Sequence, residues 1–387
     1  MFIPVKYNYR YLITRWKGTA MTALTFAMVV ATFVIVMSLA QGIERALTTT
    51  GEPLNVIVLR PGVQSEGQSQ ISIARYQVIR TCPGIAKDDR GEPLVSPEVL
   101  TLVNKPRTGS GKPSNLQIRG VHPQGIRIRP AFRIIEGRMF KPGLREIVVS
   151  RSVSNRFINF HLGDKVRLGR GTWTVVGIFD AAGTAYDSEV WADYQEVMQE
   201  FDRDAYSVAI LRAVDPAAVD AIRARLEDDP RIKLTALTEE QYYKEQTSTA
   251  APLKAFAGFL AVIMSIGACF AGMNTMYANV ANRTREIGTL RILGFTPFAV
   301  LVSFLLESVF LALAGGILGC LMAFPMNGWA TGTTNFESFS EIVFYFTITP
   351  ELVMKGLVFA AIMGLLGGFL PAWSASRKPV LAALRQL

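Results

Sequence analysis

Residues 282–298 read NRTREIGTLRILGFTPF and lie between two long apolar runs. They carry three arginines (Arg283, Arg285, Arg291), one acid (Glu286) and two glycines (Gly288, Gly294). A helix through 285–293 sets Ile287, Leu290 and Leu293 on one stripe and Arg285, Glu286 and Thr289 on another side. Gly294 follows as a stop, free to take positive φ. Thr296 and Pro297 then read as the N-cap and first residue of a new helix. The stretch predicts a short amphipathic helix lying along a membrane surface and joined tightly to a membrane-spanning helix. Its charge alone equally fits an ordinary basic loop beside a membrane.

Outward from this stretch, four runs are long and apolar enough to span the roughly 30 Å hydrocarbon core of a bilayer. They cover residues 18–43, 255–281, 298–323 and 351–373. Ser38-Leu39-Ala40 resembles a signal-peptidase site, but the first run exceeds the usual signal-peptide core and predicts an uncleaved anchor. Ala23, Ala27 and Ala31 form a small-residue face on it. Gly267 lies in the second run, Gly315-xxx-Gly319 in the third and Gly364-xxx-Gly368 in the fourth, all suited to close helix approach. Glu307 is the acid well inside an apolar run, and burying it in lipid without a partner is costly. Asn274 and Asn279 are candidate partners across helices.

Loop charge sets the topology. The N-terminal segment 1–17, the connection 282–297 and the tail 374–387 are basic, with Glu286 their only acid. The connection 324–350 holds Glu337 and Glu341 and no Lys or Arg. The positive-inside rule therefore puts both termini in the cytoplasm, and the 44–254 domain and the 324–350 loop outside.

Residues 44–254 alternate short β-like runs with Gly, Pro and Asp, as in 54–59, 146–150, 172–179, 206–211 and 232–237. Residues 71–80 and 216–227 suit helices, the latter with Val219, Ile222 and Leu226 on one face. The chain has 387 residues, half of them apolar, and a net charge of +9. That balance fits a few membrane spans beside a sizeable polar domain. The positive charges are scattered, which argues against nucleic acid. Cys82 is the only cysteine of the polar region, Cys269 and Cys320 lie in apolar runs, and His122 and His161 have no partner at metal-ligand spacing. Gly109-Ser110-Gly111-Lys112 fails as a phosphate-binding loop, because Pro106 and Pro113 stand where a glycine and a Ser or Thr are needed. Asp88-Asp89 and Asp228-Asp229 read as turns, and no catalytic set emerges.

REIGTLRILG, then Pro297, then Glu307 in the next apolar run, resembles the FtsX/MacB permease family of ABC transporters (type VII). Gly137-Arg138, Gly163-Asp164 and Val175-Val176-Gly177 within 135–180 resemble the extracytoplasmic domain of MacB-type proteins, and the end RKPVLAALRQL resembles the family's end pattern. The implied fold is four transmembrane α-helices plus an α+β periplasmic domain, with an αβ lobe from 44–92 and 205–250 and a β-rich inserted lobe at 93–204. The resemblance makes 282–297 a cytoplasmic coupling helix on an ATPase subunit, through Arg283, Arg285, Glu286, Ile287, Gly288, Leu290, Arg291 and Gly294. It implies a homodimer, for which Ala23, Ala27, Ala31 and Gly267 supply the small-residue interface, above an ATPase dimer.

The same resemblance puts ATP and Mg on a separate ATPase, leaves this chain non-catalytic and without a cofactor, and places it in a bacterial inner membrane among lipids. A periplasmic adaptor and an outer-membrane channel are the further partners it brings. The implied function is export or efflux by mechanotransmission: ATP-driven movement passed to the periplasmic domain. A lipoprotein- or lipid-extracting permease of the same superfamily and an FtsX-like subunit that activates a cell-wall hydrolase share most of these features. A plain membrane-anchored binding protein would lack the coupling motif.

Overall fold

The computed structural model describes residues 16–247, 251–334 and 341–378. The basic residues 1–15 and the end pattern at 379–387 lie outside the described residues. The chain begins with α1 (Trp16–Thr48), β1 (Asn55–Leu59), β2 (Ile71–Ser72), α2 (Ile73–Arg80), β3 (Val95–Pro106) and β4 (Pro113–Val121). Next come α3 (Pro123–Arg127), β5 (Arg133–Gly137), β6 (Glu146–Ser150), α4 (Arg151–Arg156), β7 (Lys165–Leu168) and β8 (Gly171–Asp180). It continues through β9 (Glu189–Asp193), α5 (Tyr194–Glu200), β10 (Ala205–Tyr206), β11 (Val208–Arg212), α6 (Pro216–Asp228), β12 (Thr235–Thr238) and α7 (Glu239–Gln246). Last are α8 (Ala251–Asn282), α9 (Thr284–Ile292), α10 (Pro297–Ala323), β13 (Ala330–Thr334), β14 (Glu341–Tyr345) and α11 (Pro350–Ser376). Contacts separate a helical unit from a sheet unit, and the sheet unit takes in residues 330–345.

The sheet unit is a mixed α/β domain. Ten strands form one sheet in the order β12-β1-β11-β3-β4-β9-β6-β8-β5, with β7 beside β8. β1 pairs antiparallel with β11 and β12, so strands from 44–92 and 205–250 meet at one end. Strands from 93–204 complete the sheet, with parallel pairs β4–β9 and β6–β8. All five residues of β1 are buried: Val56–Leu59 form an apolar run with both faces covered, and Asn55 donates to the Ile128 carbonyl and to Glu239. Asp215 caps α6 by accepting a hydrogen bond from the Ala218 amide, and Val219, Ile222 and Leu226 face the core.

A buried ion cluster ties the sheet together. Arg119 on β4 reaches Glu98 on β3 at 2.8 Å, Glu189 on β9 at 2.7 Å and Glu66 at 2.7 Å. Arg129 holds Glu98 a second time, at 2.6 and 2.8 Å, and its guanidinium lies over the Tyr186 ring. Glu239, at the start of α7, accepts from Asn55 at 2.8 Å, from the Glu52 amide at 3.1 Å and from the Tyr186 hydroxyl at 2.6 Å. Burial pushes the Glu66 and Glu239 carboxyls up. Burial alone would raise Glu98 as well, but the Arg129 and Arg119 guanidiniums outweigh it and hold that carboxyl low.

The 324–350 connection, read from sequence as a loop, carries the hairpin β13–β14. It packs in the sheet unit through Glu341, which accepts from Arg107 at 3.0 Å and also pairs with Arg156. The Ser188 hydroxyl accepts from the Val343 amide at 2.7 Å, and Phe344 is buried. The partner strand reads ATGTT, which gives little β signal in isolation, so the pairing rests on these tertiary contacts.

In the helical unit, α1, α8, α10 and α11 contain four segments long and apolar enough to cross a membrane. The small residues make contacts inside this one chain. A methyl group added at Gly315 would stand 2.6 Å from the Ala23 carbonyl oxygen, and one at Gly319 would stand 2.5 Å from that of Ala27. One at Gly364 would meet the Ala312 side chain at 2.7 Å, and the Ser308 hydroxyl donates to the Gly364 carbonyl at 2.7 Å. This corrects the alanine part of the expected dimer face. Ala23, Ala27 and Ala31 are buried against α10 of their own chain, because its paired glycines let the backbones approach. Gly267 is exposed, with open space around it.

Two outcomes are expected. Gly319→Leu should lower the thermal stability of the purified chain in nanodiscs, because α1 and α10 cannot separate to admit the side chain without losing their contact. Glu239 titrates higher in the folded state than in the unfolded one. Its stabilising contribution is full below the unfolded value of about 4.3 and is lost as pH rises through the folded value. The melting-temperature gap between the parent and Glu239→Gln should therefore widen in the parent's favour as pH falls from neutral towards about 4.5.

Candidate functional site

The site is built where α8 ends. Arg283 stands between α8 and α9, with a backbone conformation that turns the chain out of α8. Its amide still donates to the Asn279 carbonyl at 3.1 Å, so the turn is tight. Thr284 accepts a hydrogen bond at 2.7 Å from Lys378, beyond the end of α11. At the far end of α9 the Gly294 amide donates to Arg291 and the Phe295 amide to Leu290. Gly294 has φ +93°, a left-handed conformation that closes the helix and suits glycine. Thr296 then caps α10 by accepting from the Ala299 amide at 3.2 Å, with Pro297 as the first helical residue.

The residues picked out by sequence divide into two groups. Ile287 is buried in a cluster with Met276, Val280, Val300, Phe304, Ala372 and Ala375, and Gly288 is buried beside it. Leu290 and Arg291 are half-buried. Arg285, Glu286, Ile292, Leu293 and Gly294 are exposed, and so is Phe298 at the start of α10. The predicted stripe therefore splits along its length: Ile287 faces the bundle, while Leu293 is 68% exposed. A helix of nine residues that must also turn into α10 cannot keep one stripe against one surface.

Arg283 and Gly288, expected on the outward coupling face, point inward. Arg283 is buried, with its guanidinium over the Phe304 ring at 5.2 Å. It donates from Nη1 to Glu307 at 2.8 Å and from Nε to Glu286 at 3.0 Å. The hydrogen-bonded partner of Glu307 is thus Arg283, in place of the expected Asn274 and Asn279; Asn274 is exposed. A carboxylate within the bundle is better neutralised by a cation than by an amide, and the turn at the α8–α9 junction delivers one. The sequence held both charges but not the chain reversal that joins them.

The outward side of this segment mixes apolar and charged groups. It offers exposed apolar side chains at the α9–α10 joint (Ile292, Leu293, Phe298) and two exposed charged residues in the first turn of α9 (Arg285, Glu286), on a helix anchored inward by Ile287 and Arg283. Ile287→Ala should lower bundle stability by about 2 kcal/mol or more through the cavity it leaves. Leu293→Ser, at an exposed position, should stay within about 0.5 kcal/mol of the parent. Thermal unfolding in nanodiscs compares the two.

Residues 19–229 match a MacB-like periplasmic core domain, and residues 258–380 match an FtsX-like permease C-terminal domain. The macrolide export ATP-binding/permease protein MacB of Hahella chejuensis is 25% identical over 370 residues, covering 86% of this chain and 55% of that protein. The protein of the same name from Escherichia coli is 26% identical over 383 residues, covering 94% of this chain and 58% of that protein. The chain thus spans a little over half the length of these relatives. The crystal structure of the extracellular domain of the noncanonic ABC-type transporter YknZ from Gram-positive bacteria aligns over 48% of this chain and 98% of that domain. The identity is 13% and the TM-score 0.36.

Proposed function

The chain belongs to the family with a MacB-like periplasmic core domain and an FtsX-like permease C-terminal domain, and from that membership we propose that it couples ATP hydrolysis on a partner to movement of its sheet domain. ATP and magnesium belong to an ATP-binding partner that docks on α9; this chain supplies the permease and no catalytic group. The sheet domain lies outside a bacterial inner membrane and both termini lie inside, in keeping with the charge of the short connections. Two copies of the chain pair over two ATP-binding units. Export by mechanotransmission is the activity, in line with relatives named for macrolide export. A periplasmic adaptor and an outer-membrane channel would complete the route.

The observation that carries this reading is the exposed apolar end of α9 and the start of α10. Ile292 is 57% exposed, Leu293 68% and Phe298 63%; Ile292 ends the helix that Ile287 pins to the bundle, and the other two follow it. Single exposed apolar residues are commonplace, but here three fall within 292–298, at a joint closed by Gly294 and the Thr296 cap, and α9 also exposes Arg285 and Glu286 in its first turn. A docking partner that buries them gains apolar contact, and the charges of Arg285 and Glu286 fix its orientation. Pro297 and the Thr296 cap make α10 a stiff continuation, so a push on α9 is delivered as movement of α10.

The test is to purify the chain with its ATP-binding partner and compare Leu293→Asp and Ile292→Asp with the parent. Each should reduce co-purification and partner-dependent ATP turnover by about tenfold or more, since a charge is buried without a partner at the contact. The melting temperature of the permease alone should not change. Parent-like assembly and turnover in both variants would remove α9 as the coupling element.

A further inference from the structure

Between β1 and β2 the chain makes a single turn over Glu66–Gln68. This turn is fastened to α7 and to β4. The Glu66 amide donates to the Tyr242 hydroxyl at 3.1 Å, Gln246 donates to the Gln64 carbonyl at 2.8 Å, and Arg119 donates to the Glu66 carboxyl at 2.7 Å. The charges at the last of these contacts do not balance. Glu66, Glu98 and Glu189 surround Arg119, and Arg129 is the other guanidinium of the group. Three carboxylates on two guanidiniums leave a negative charge over, among residues that are all buried. Glu239, linked to the group through Tyr186, would only add to the surplus.

The hydrogen bonds show where the surplus falls. Both oxygens of Glu189 accept from Arg119, and Trp191 and Gln117 donate to them as well, each at 2.7 Å. Both oxygens of Glu98 accept from Arg129, and Arg119 adds to one of them. Both oxygens of Glu239 accept too, from Tyr186, Asn55 and the Glu52 amide. Glu66 differs: Oε2 accepts from Arg119, while Oε1 is buried and accepts nothing among the described residues. An ionised carboxylate needs donors at both oxygens, so this is the pattern of a neutral acid. One open oxygen can carry a proton, whereas a calcium ion would need roughly six to eight oxygen ligands.

We propose that Glu66 is a proton-binding site of the sheet domain: it is a neutral acid at neutral pH, and its ionisation releases segment 64–69 from α7. The groups facing it are Arg119, Glu98 and Glu189 on the sheet, with Arg129 behind Glu98, and the phenols of Tyr186, Tyr242 and Tyr243. Burial holds Tyr186 and Tyr243 well above the ordinary phenol value, so both stay neutral as Glu66 titrates. Burial pushes the Glu66 carboxyl up, Arg119 pulls it back, and Glu98 and Glu189 push it further. A carboxyl raised in the folded state stabilises fully below its unfolded value of about 4.3, and the contribution is lost as pH rises through the folded value. Alkaline pH therefore sets a further negative charge beside Glu98 and Glu189, and the repulsion falls on a segment that neutral hydrogen bonds tie to α7.

The test uses the full chain in an ester-free detergent, with carboxyl-labelled glutamate and no partner present. At pH 7 the infrared spectrum of the parent should hold a neutral-carboxyl band that is lost in Glu66→Gln and kept in Glu239→Gln and Glu307→Gln. Raising the pH until that band is gone should speed amide exchange over 64–69 and α7 by about tenfold or more, after correction for the intrinsic rate at each pH. Glu66→Gln, which keeps the acceptor for Arg119 and cannot ionise, should vary by less than about threefold over the same range. Should Glu66→Gln fail to fold, the band and its titration in Glu239→Gln and Glu307→Gln still follow Glu66. The absence of the band at pH 7, its survival in Glu66→Gln, or its loss with exchange unchanged would overturn the proposal.

Discussion

A guanidinium taken out of water must be met by carboxylates, and that demand shapes both units of the chain. In the sheet domain Arg119 lies at the centre of β3, β4 and β9 and binds Glu66, Glu98 and Glu189. In the helical unit Arg283 links the end of α8 to α10 through Glu307. Such groups add little net stability against an apolar replacement, but they penalise any arrangement that separates them. A sheet register that moved β3 against β4 would strand Arg119. A helix α9 that unrolled would strand Glu307.

The paired glycines impose a second constraint, of shape. Gly315 and Gly319 admit the α1 backbone to α10, and Gly364 admits α10 to α11. Lipid tails are as apolar as the helices, so close contact and the Ser308–Gly364 hydrogen bond, more than apolar burial, hold these spans together. The central helix α10 therefore has little freedom inside the bundle.

Much of this was legible in residue order. Gly294, Thr296 and Pro297 announced the joint between α9 and α10, and the structure realises each at the predicted position. Glu307 stood out because an acid in an apolar run requires an explanation, and Val219, Ile222 and Leu226 announced the buried face of α6. What could not be read was which distant residues meet. Ala23, Ala27 and Ala31 have the spacing of an interhelical face, but spacing does not say whether the facing helix belongs to the same chain. Arg283 is one residue from the exposed part of α9, and only the turn at the helix junction sends it inward. The ion cluster around Arg119 joins residues from 66 to 189, each unremarkable alone. Glu341, read as loop charge, instead holds a hairpin through Arg107 and Arg156.

Buried charge stands near the start of α10 and again in the hairpin that follows it in the chain. At its start α10 is capped by Thr296 and held through Glu307 to the residue that precedes α9. From its other end the chain runs on into β13 and β14, a hairpin fastened within the sheet domain by Glu341. Covalent continuity alone would let a flexible connection absorb any displacement of α10. A short hairpin whose carboxylate is buried on two guanidiniums resists that, because extending it would expose Phe344 and separate Glu341 from Arg107 and Arg156.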